Sequence, residues 1–183
     1  MDPNNILPFV KKLREIAQKV CLGISGRSDI EVAIFISKKI VDSVKMNRDL
    51  KIAYEPNKMV INSIIERSIY VAIMSTILGD KMNMSKDRLV KLCLAGLLKD
   101  IALISPKIQS DKVKLIYQHP ILGYWHLKEH YDLDEEVLCA VLQHQELFDG
   151  TGYPNKLRGK EICEFASIIG IVDMSVSYTH LRA

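Results

Sequence analysis

Residues 143–154 read QHQELFDGTGYP, and in this stretch an apolar helical run that carries His144 leads directly into a loop punctuated by glycines. Gly150 and Gly152 belong to the residue type that adopts backbone conformations closed to other residues, so the chain is predicted to turn tightly here. The stretch therefore predicts a helix end followed by a tightly built loop, with a histidine close to the junction.

The chain on either side of this stretch is dominated by helical periodicity. No segment shows the sustained alternation of apolar and polar residues that a half-buried strand needs, so the sequence predicts an all-α fold, a helical bundle. A polar stretch near 48–57 is the predicted boundary between an N-terminal helical segment, 1–56, and a larger domain, 57–174. The predicted helices are 6–22, 30–46, 59–78, 86–104 with Ser85 as N-cap, one opened by Pro120, one with Asp134 as N-cap, and one from Ile162.

Composition limits the classes of function. A chain of 183 residues with a net charge of +3 is large enough for one core and too weakly basic to argue for a DNA or RNA partner. The 4 cysteines are scattered singly, which is typical of reduced intracellular proteins and predicts a cytoplasmic location. No apolar run reaches the roughly 18 to 20 residues that span a bilayer. The N-terminus lacks the basic start of a secretory signal, so we expect no membrane association in this segment.

Two charged residues interrupt the most apolar predicted helix. Lys99 and Asp100 are the only charged residues between Leu92 and Pro106, on a helix with little polar face. Burying a charge is unfavourable unless it is paired or binds a metal. Two interpretations remain open: the helix emerges from the core at this point, or it carries a buried polar site.

Two histidines and a second aspartate are further candidates for such a site. His144 lies on the apolar side of its helix, His119 lies at a predicted helix start, and Asp173 follows an apolar run. Each has a simpler explanation, as a hydrogen-bonded core residue or as a residue near a helix end. Together with Asp100 they come from four predicted helices. Imidazoles and carboxylates that converge inside an α-bundle are a common way to bind a divalent metal for phosphate-ester hydrolysis.

The loop and the segments around it resemble a known family. Residues 149–154, Asp-Gly-Thr-Gly-Tyr-Pro, resemble the loop of HD-GYP domains, the metal-dependent cyclic di-GMP phosphodiesterases of the HD superfamily. Residues 97–101 resemble the segment with the HD pair, 119–120 the next histidine motif, and 171–173 the late metal-binding aspartate. The resemblance covers roughly 60–174 and implies the helical bundle of that superfamily.

The resemblance also identifies site residues that this chain keeps. The implied metal ligands are Asp100, His119, His144 and Asp173. The positions kept in the loop, called the GYP loop below, are Asp149, Gly150, Gly152, Tyr153 and Pro154. No residue is assigned as a catalytic group, because the remaining ligand positions differ from the family's pattern.

Four positions of the family's site are substituted. Lys99 replaces the HD histidine, Gln145 a second histidine and Arg67 the earliest histidine. Leu103 replaces a lysine that contacts the phosphate in family members. Charged lysine and arginine cannot coordinate a cation, and each brings positive charge to the place of the metal. We therefore hypothesise that Arg67 and Lys99 substitute for one metal by pairing with the two aspartates of the site.

The resemblance and the substitutions together predict a degenerate domain that binds or regulates in cyclic di-GMP signalling, with little or no hydrolysis. One alternative is an active phosphodiesterase with a reduced metal site, in which Asp100, His119, His144 and Asp173 coordinate the metal. A site of Asp100, His119 and His144 alone would suit one iron or manganese ion, and a fully degenerate site would bind none. A further alternative is an interaction platform whose GYP loop contacts a protein partner such as a diguanylate cyclase domain. Residues 175–183 match nothing in the family and are interpreted as a truncation or a junction scar.

Overall fold

The computed structural model of the chain describes residues 27–46, 64–104 and 112–180. The described residues form helices and no strand, so the all-α prediction is confirmed for them. The predicted helix at 6–22 and the predicted boundary near 48–57 lie outside the described residues. The helices are α1 (Arg27–Met46), α2 (Ile64–Lys81), α3 (Lys86–Leu98), α4 (Ile101–Ile104), α5 (Lys112–His130), α6 (Glu135–Gln143) and α7 (Glu164–His180), with a 3₁₀ turn at Gly159–Glu161.

Helix α3 lies in the middle of the bundle, as its apolar sequence predicts. Every residue from 92 to 98 is buried, and the helix packs against α1, α2 and α6. Helix α2 approaches so closely that a Cβ atom on Gly96 would lie 2.8 Å from the Cα atom of Ala72. This close packing fixes the end of α3, directly before the buried polar residues of the candidate site.

The prediction of one helix over 86–104 is wrong. Helix α3 ends at Leu98, the chain turns at Lys99 and Asp100, and the short helix α4 begins at Ile101. In a continuous helix, neighbouring side chains point about 100° apart. The turn instead lets the side chains of Lys99 and Asp100 meet, and it brings both to one buried site.

The prediction that Pro120 opens a helix is also wrong, because α5 begins at Lys112 and holds Pro120 in its interior. Proline has no N–H, so it leaves the carbonyl four residues earlier, that of Ile116, without its helical donor. The ring of His119 fills this gap: its Nδ1 atom lies 2.7 Å from the Ile116 oxygen. A side chain of the candidate site thus makes the proline tolerable inside the helix.

The helix starts that rest on local capping are confirmed. The Ser85 hydroxyl accepts a hydrogen bond from the amide of Arg88, and the Asp134 carboxylate accepts one from the amide of Glu136. The last helix begins at Glu164 rather than Ile162, because the 3₁₀ turn comes first. Helix α7 continues to His180, so the predicted boundary at 174 falls inside it, and the division into domains stays a prediction. Among the described helices, none is long and apolar enough to cross a membrane.

Candidate metal centre

Three buried residues from three places in the bundle meet at one point. Asp100 lies in the turn after α3, His119 in α5 and His144 directly after α6. The two Nε2 atoms are 3.0 Å apart, and they lie 3.3 Å (His119) and 3.4 Å (His144) from Asp100 Oδ1. All three residues are at most 5% exposed. We call them the donor trio.

The hydrogen bonds of the two rings determine which nitrogens face the centre of the trio. The Nδ1 atom of His119 lies 2.7 Å from the Ile116 oxygen, and that of His144 lies 2.8 Å from the Val141 oxygen. A backbone carbonyl only accepts, so each Nδ1 donates, and in the neutral rings each Nε2 carries a lone pair. Two lone pairs and a carboxylate oxygen therefore converge, which is the arrangement that a proton or a metal cation would stabilise.

A second group of charges adjoins the trio on the other side of Asp100. The ammonium group of Lys99 contacts Asp100 Oδ2 and lies 3.2 Å from Asp173 Oδ1, and its side chain is 1% exposed. Arg67 of α2 binds the Asp173 carboxylate through Nε at 2.8 Å and Nη2 at 2.9 Å. Arg67, Lys99, Asp100 and Asp173, called the ion cluster below, hold two positive and two negative groups.

These neighbours change the protonation of the buried acids. Burial alone would raise the pKa of Asp100, but the positive charge of Lys99 holds that pKa well below its usual range. Burial is likewise outweighed at Asp173, where Lys99 and Arg67 lower the pKa. Burial lowers the pKa of His144 although Asp100 opposes this effect, so its imidazole is neutral at pH 7. Both carboxylates are therefore ionised and compensated by protein cations.

The substituted positions at Gln145 and Leu103 border the trio through their backbones. The Gln145 carbonyl accepts a hydrogen bond of 3.1 Å from the amide of Tyr153, which ties the GYP loop to the residue after His144. The Leu103 amide donates to the Asp100 carbonyl at 2.9 Å, which closes the turn before α4. The backbone groups of Gln145 and Leu103 thus help to hold the chain segments that carry His144 and Asp100.

The GYP loop is built on contacts that only glycine permits. Gly150 has a φ of +79°, in the left-handed region. A Cβ atom on Gly152 would lie 2.2 Å from the Leu147 nitrogen and 2.5 Å from the Glu146 Cα atom. The Asp149 carboxylate accepts hydrogen bonds from the amide and hydroxyl of Thr151, at 2.9 and 2.6 Å. The loop folds back tightly on the end of α6 as a result.

Two aromatic rings, Tyr153 of the GYP loop and Tyr117 of α5, lie beside the trio. The ring of Tyr153 packs edge-on against His119, with centroids 6.3 Å apart, and against Tyr117 at 5.6 Å. Burial raises the pKa of Tyr153, so its hydroxyl stays protonated at pH 7. The peptide bond between Tyr153 and Pro154 is cis. Tyr117, which is 64% exposed, is a neighbour of the site that the sequence pattern did not single out.

Glu146 is the structural residue of the site region that the sequence reasoning missed. Its carboxylate is 6% exposed and accepts hydrogen bonds from the amides of Asn155 at 2.6 Å and Leu157 at 3.0 Å. A buried carboxylate is stabilised by such backbone donors. The signal available in the sequence is an acid just before a glycine-rich loop, but its partners are backbone amides, which leave no trace in side-chain type.

The sequence of this chain matches a known domain family and is similar to two known proteins. A model of the HD domain family matches residues 45–182. The chain is 30% identical over 122 residues to the cyclic di-GMP phosphodiesterase PdeB of Borreliella burgdorferi, an alignment that covers 62% of this chain and 32% of that protein. It is 32% identical over 77 residues to the cyclic di-GMP phosphodiesterase response regulator RpfG of Xanthomonas campestris, covering 41% of this chain and 20% of that protein.

A solved structure shares the fold. The structure of Bd1817, described as an HDG"Y"P protein from Bdellovibrio bacteriovorus, superposes with a TM-score of 0.81 at 20% sequence identity. The superposition covers 98% of this chain and 62% of that one. The chain thus spans less than two thirds of the length of each of these three proteins.

Proposed function

The chain belongs to the HD domain family and is a domain of the HD-GYP type, and from this premise we propose that it is a degenerate member that binds or regulates in cyclic di-GMP signalling with little or no hydrolysis. The observation that carries this proposal is the ion cluster. Lys99 and Arg67 are paired with the two carboxylates that the family resemblance assigns to metals. The positive charge at this place is supplied by the protein.

A second metal ion does not fit the ion cluster. The Asp173 carboxylate is bound on both oxygens by Arg67, and Oδ1 also faces Lys99. A divalent cation next to two protein cations would be repelled. It would also have to displace the buried ammonium group of Lys99 from its two carboxylate partners. The residues present therefore do not support a two-metal centre.

A single cation fits the donor trio. The ligand atoms of Asp100, His119 and His144 all lie within 4.8 Å of one another, and two histidines with one carboxylate suit iron or manganese. Such an ion supplies Lewis-acid polarisation of a phosphoryl oxygen and acidifies a bound water. The protein's own part is to hold both Nε2 atoms toward Asp100 by the carbonyl bonds at Nδ1.

The groups that stabilise a phosphoryl transition state are reduced in this chain. Phosphodiester cleavage depends on positive charge placed at the developing negative oxygens, and losing such a group commonly lowers the rate 100-fold or more, on the order of 3 kcal/mol. The position of the family's phosphate-contacting lysine is Leu103, which is apolar. Lys99 is committed to Asp100 and Asp173, so its charge is already compensated. We therefore expect the chain to bind a phosphodiester but to hydrolyse it slowly or not at all.

The proposed ligand is a cyclic dinucleotide. The names of the two relatives support this, since both are called cyclic di-GMP phosphodiesterases. Arg67 keeps a guanidinium group at the site with a side chain that is 36% exposed, and guanidinium groups favour phosphate oxygens. Tyr153 and Tyr117 add aromatic faces against which a base can stack.

Two other functions have support in particular observations. The donor trio favours an active phosphodiesterase with one metal ion, because its three ligand atoms already converge. Phe148, which is 81% exposed next to the GYP loop, favours an interaction platform for a protein partner such as a diguanylate cyclase domain. We rank both functions below that of a binding domain, because neither accounts for the pairing of Lys99 with the two aspartates.

One set of measurements separates the three functions. The purified chain is loaded with iron(II) or manganese(II), titrated with cyclic di-GMP in a calorimeter, and assayed for turnover. Binding without turnover is the expected result. Turnover that His144→Ala abolishes and His130→Ala, an exposed histidine of α5, leaves intact would overturn the proposal in favour of the enzyme. Absence of both binding and turnover would favour the platform.

A further inference from the structure

A pair of cysteines joins the two ends of the segment that carries the GYP loop. Cys139 lies in α6, and Cys163 lies between the 3₁₀ turn and α7. Their thiol groups are hydrogen-bonded to each other. The Cys163 amide also donates to Gln143 Oε1 at 2.7 Å, and Gln143 lies one helical turn after Cys139 on the same face of α6. Two independent contacts therefore hold Cys163 against this face.

The third described cysteine has a different environment. Cys93 lies in α3 and is 0% exposed, and its thiol is hydrogen-bonded to the hydroxyl groups of Thr76 and Ser37. Burial raises its pKa to about 11, which keeps it in the unreactive thiol form. Cys139 and Cys163 are only partly buried, so small oxidants reach them. Cys93 serves as an internal standard for a thiol that should not react.

We propose that Cys139 and Cys163 are a reversible oxidation site, which a peroxide closes into an intramolecular disulfide. In the first step the Cys139 sulfur attacks one oxygen of hydrogen peroxide, the O–O bond breaks, and a sulfenic acid and one water form. In the second step the Cys163 sulfur attacks the sulfenic sulfur and displaces its hydroxyl group as a second water. The sum converts two thiols and one peroxide into one disulfide and two waters.

The surroundings assign the two roles. The hydrogen bond from Cys163 lowers the pKa of Cys139 against the effect of burial, so Cys139 is the thiol that ionises first. The same bond and burial both raise the pKa of Cys163, so Cys163 is not the thiol that ionises first. The thiolate is the nucleophile in each step, so oxidation starts at Cys139.

Closing this bond would tie the start and the end of the segment 140–162 together. That segment carries His144, Glu146 and the GYP loop. A disulfide across it removes open conformations of the loop, because it restricts the chain at both ends. The disulfide would therefore restrain the segment on which His144 lies.

Peptide mapping tests the proposal on the unmodified chain. The protein is treated with stoichiometric hydrogen peroxide, the remaining thiols are blocked with N-ethylmaleimide in denaturant, and the digest is analysed by mass spectrometry without reduction. We expect a linked peptide that contains Cys139 and Cys163, removed by dithiothreitol, while Cys93 stays alkylated. Separate alkylated peptides, or over-oxidised cysteines without a link, would overturn the proposal, as would a link formed only between two chains.

Variants provide a second measurement. A Cys21→Ser background excludes the cysteine that lies outside the described residues. In that background, peroxide is expected to raise the melting temperature by roughly 5 °C, a typical effect of an unstrained disulfide. Cys139→Ser and Cys163→Ser should each abolish the rise, and each should leave the melting temperature of the reduced protein nearly unchanged, since serine keeps a hydrogen-bonding group. An unaltered rise in either variant would contradict the assignment.

Discussion

The GYP loop and the ion cluster lie next to each other and are held by different kinds of interaction. In the loop, Gly150 and Gly152 are required by the backbone, because a positive φ and a 2.2 Å approach leave no room for a side chain. In the ion cluster, Lys99 and Arg67 are held by ion pairs and hydrogen bonds to the two carboxylates. The loop therefore depends on glycine for its backbone path, whereas the ion cluster depends on a balance of buried charges.

This difference explains why the resemblance to the family is strong in one place and partial in the other. Residues fixed by backbone geometry persist whether or not the site is chemically active. A metal ligand, by contrast, can be replaced by a group that compensates the charge of the buried carboxylates. Lys99 does this for Asp100 and Asp173 at once. The family resemblance at the loop is therefore weak evidence about catalysis, whereas the residues of the ion cluster bear on catalysis directly.

The strongest test of the comparison is Lys99→Met. Removing the ammonium group leaves Asp100 and Asp173 buried with less compensation, so we expect the free energy of unfolding to fall by about 4 kcal/mol. The fall is measured by urea denaturation. Manganese(II) should stabilise this variant more than the wild type, because a cation can now take the vacated place. Lys91→Met, which removes three ion pairs with exposed carboxylates, is the control and should change stability little.

The next largest effect is expected from Gly152→Ala. The added Cβ atom meets backbone atoms that cannot move away, so the loop should lose about 3 kcal/mol of stability. Gly159→Ala is the control: its φ is +55°, but the nearest atom to the new Cβ is 3.6 Å away, so only the backbone strain of about 1 kcal/mol applies. Equal losses in the two variants would show that the close approach is unimportant.

Glu146→Gln separates charge from shape within the loop. The amide keeps the size of the side chain but weakens two hydrogen bonds from backbone amides, so we expect a loss of about 2 kcal/mol, seen as a lower urea midpoint. Glu161→Gln removes the charge from an exposed carboxylate that accepts from the Arg158 amide, and its loss should be smaller. If both variants matched the wild type, the loop would not depend on these carboxylates.

The smallest effect is expected from Arg67→Met, about 1 kcal/mol at pH 7, because this side chain is 36% exposed. The pKa of Asp173 is lowered from its ordinary value of 3.8, so the stability that it contributes is present above that pH and is lost as the pH falls through the lowered pKa. The difference between variant and wild type should therefore shrink below about pH 4. It is followed by thermal melts across pH.

Arg88→Met is the control for this prediction, since its side chain is equally exposed but pairs with partly exposed acids. Its effect should show a weaker dependence on pH, because those acids are exposed to solvent, whereas Asp173 is buried. A flat difference between Arg67→Met and the wild type down to pH 3 would contradict the lowered pKa.

The helices and their caps could be predicted because their causes are local. Ser85 and Asp134 each bond to an amide two or three residues away, and the apolar periodicity of α3 is visible in the sequence. The break after Leu98 and the position of Pro120 inside α5 could not be predicted in this way. Both depend on side chains that reach tertiary partners or vacant carbonyls, such as the ring of His119 at Ile116.

Sequence patterning singled out the residues of the donor trio as candidates, but only the family resemblance implied that they share one site. The spacing of Asp100, His119 and His144 along the chain does not by itself indicate that they meet, because they come from separate elements. The bond between Arg67 and Asp173 joins residues 106 positions apart. Glu146 escaped notice because its partners are amides of the loop. Which metal binds the donor trio, if one does, stays a prediction.

Metal content is the most direct test of the central claim that protein cations replace a metal in the ion cluster. The purified chain is loaded with iron(II) or manganese(II) without oxygen, freed of excess ion, and measured by elemental analysis against protein concentration. At most one ion per chain is the expected result, and Lys99→His should raise that number. A fully occupied two-metal centre in the wild-type chain would contradict the account.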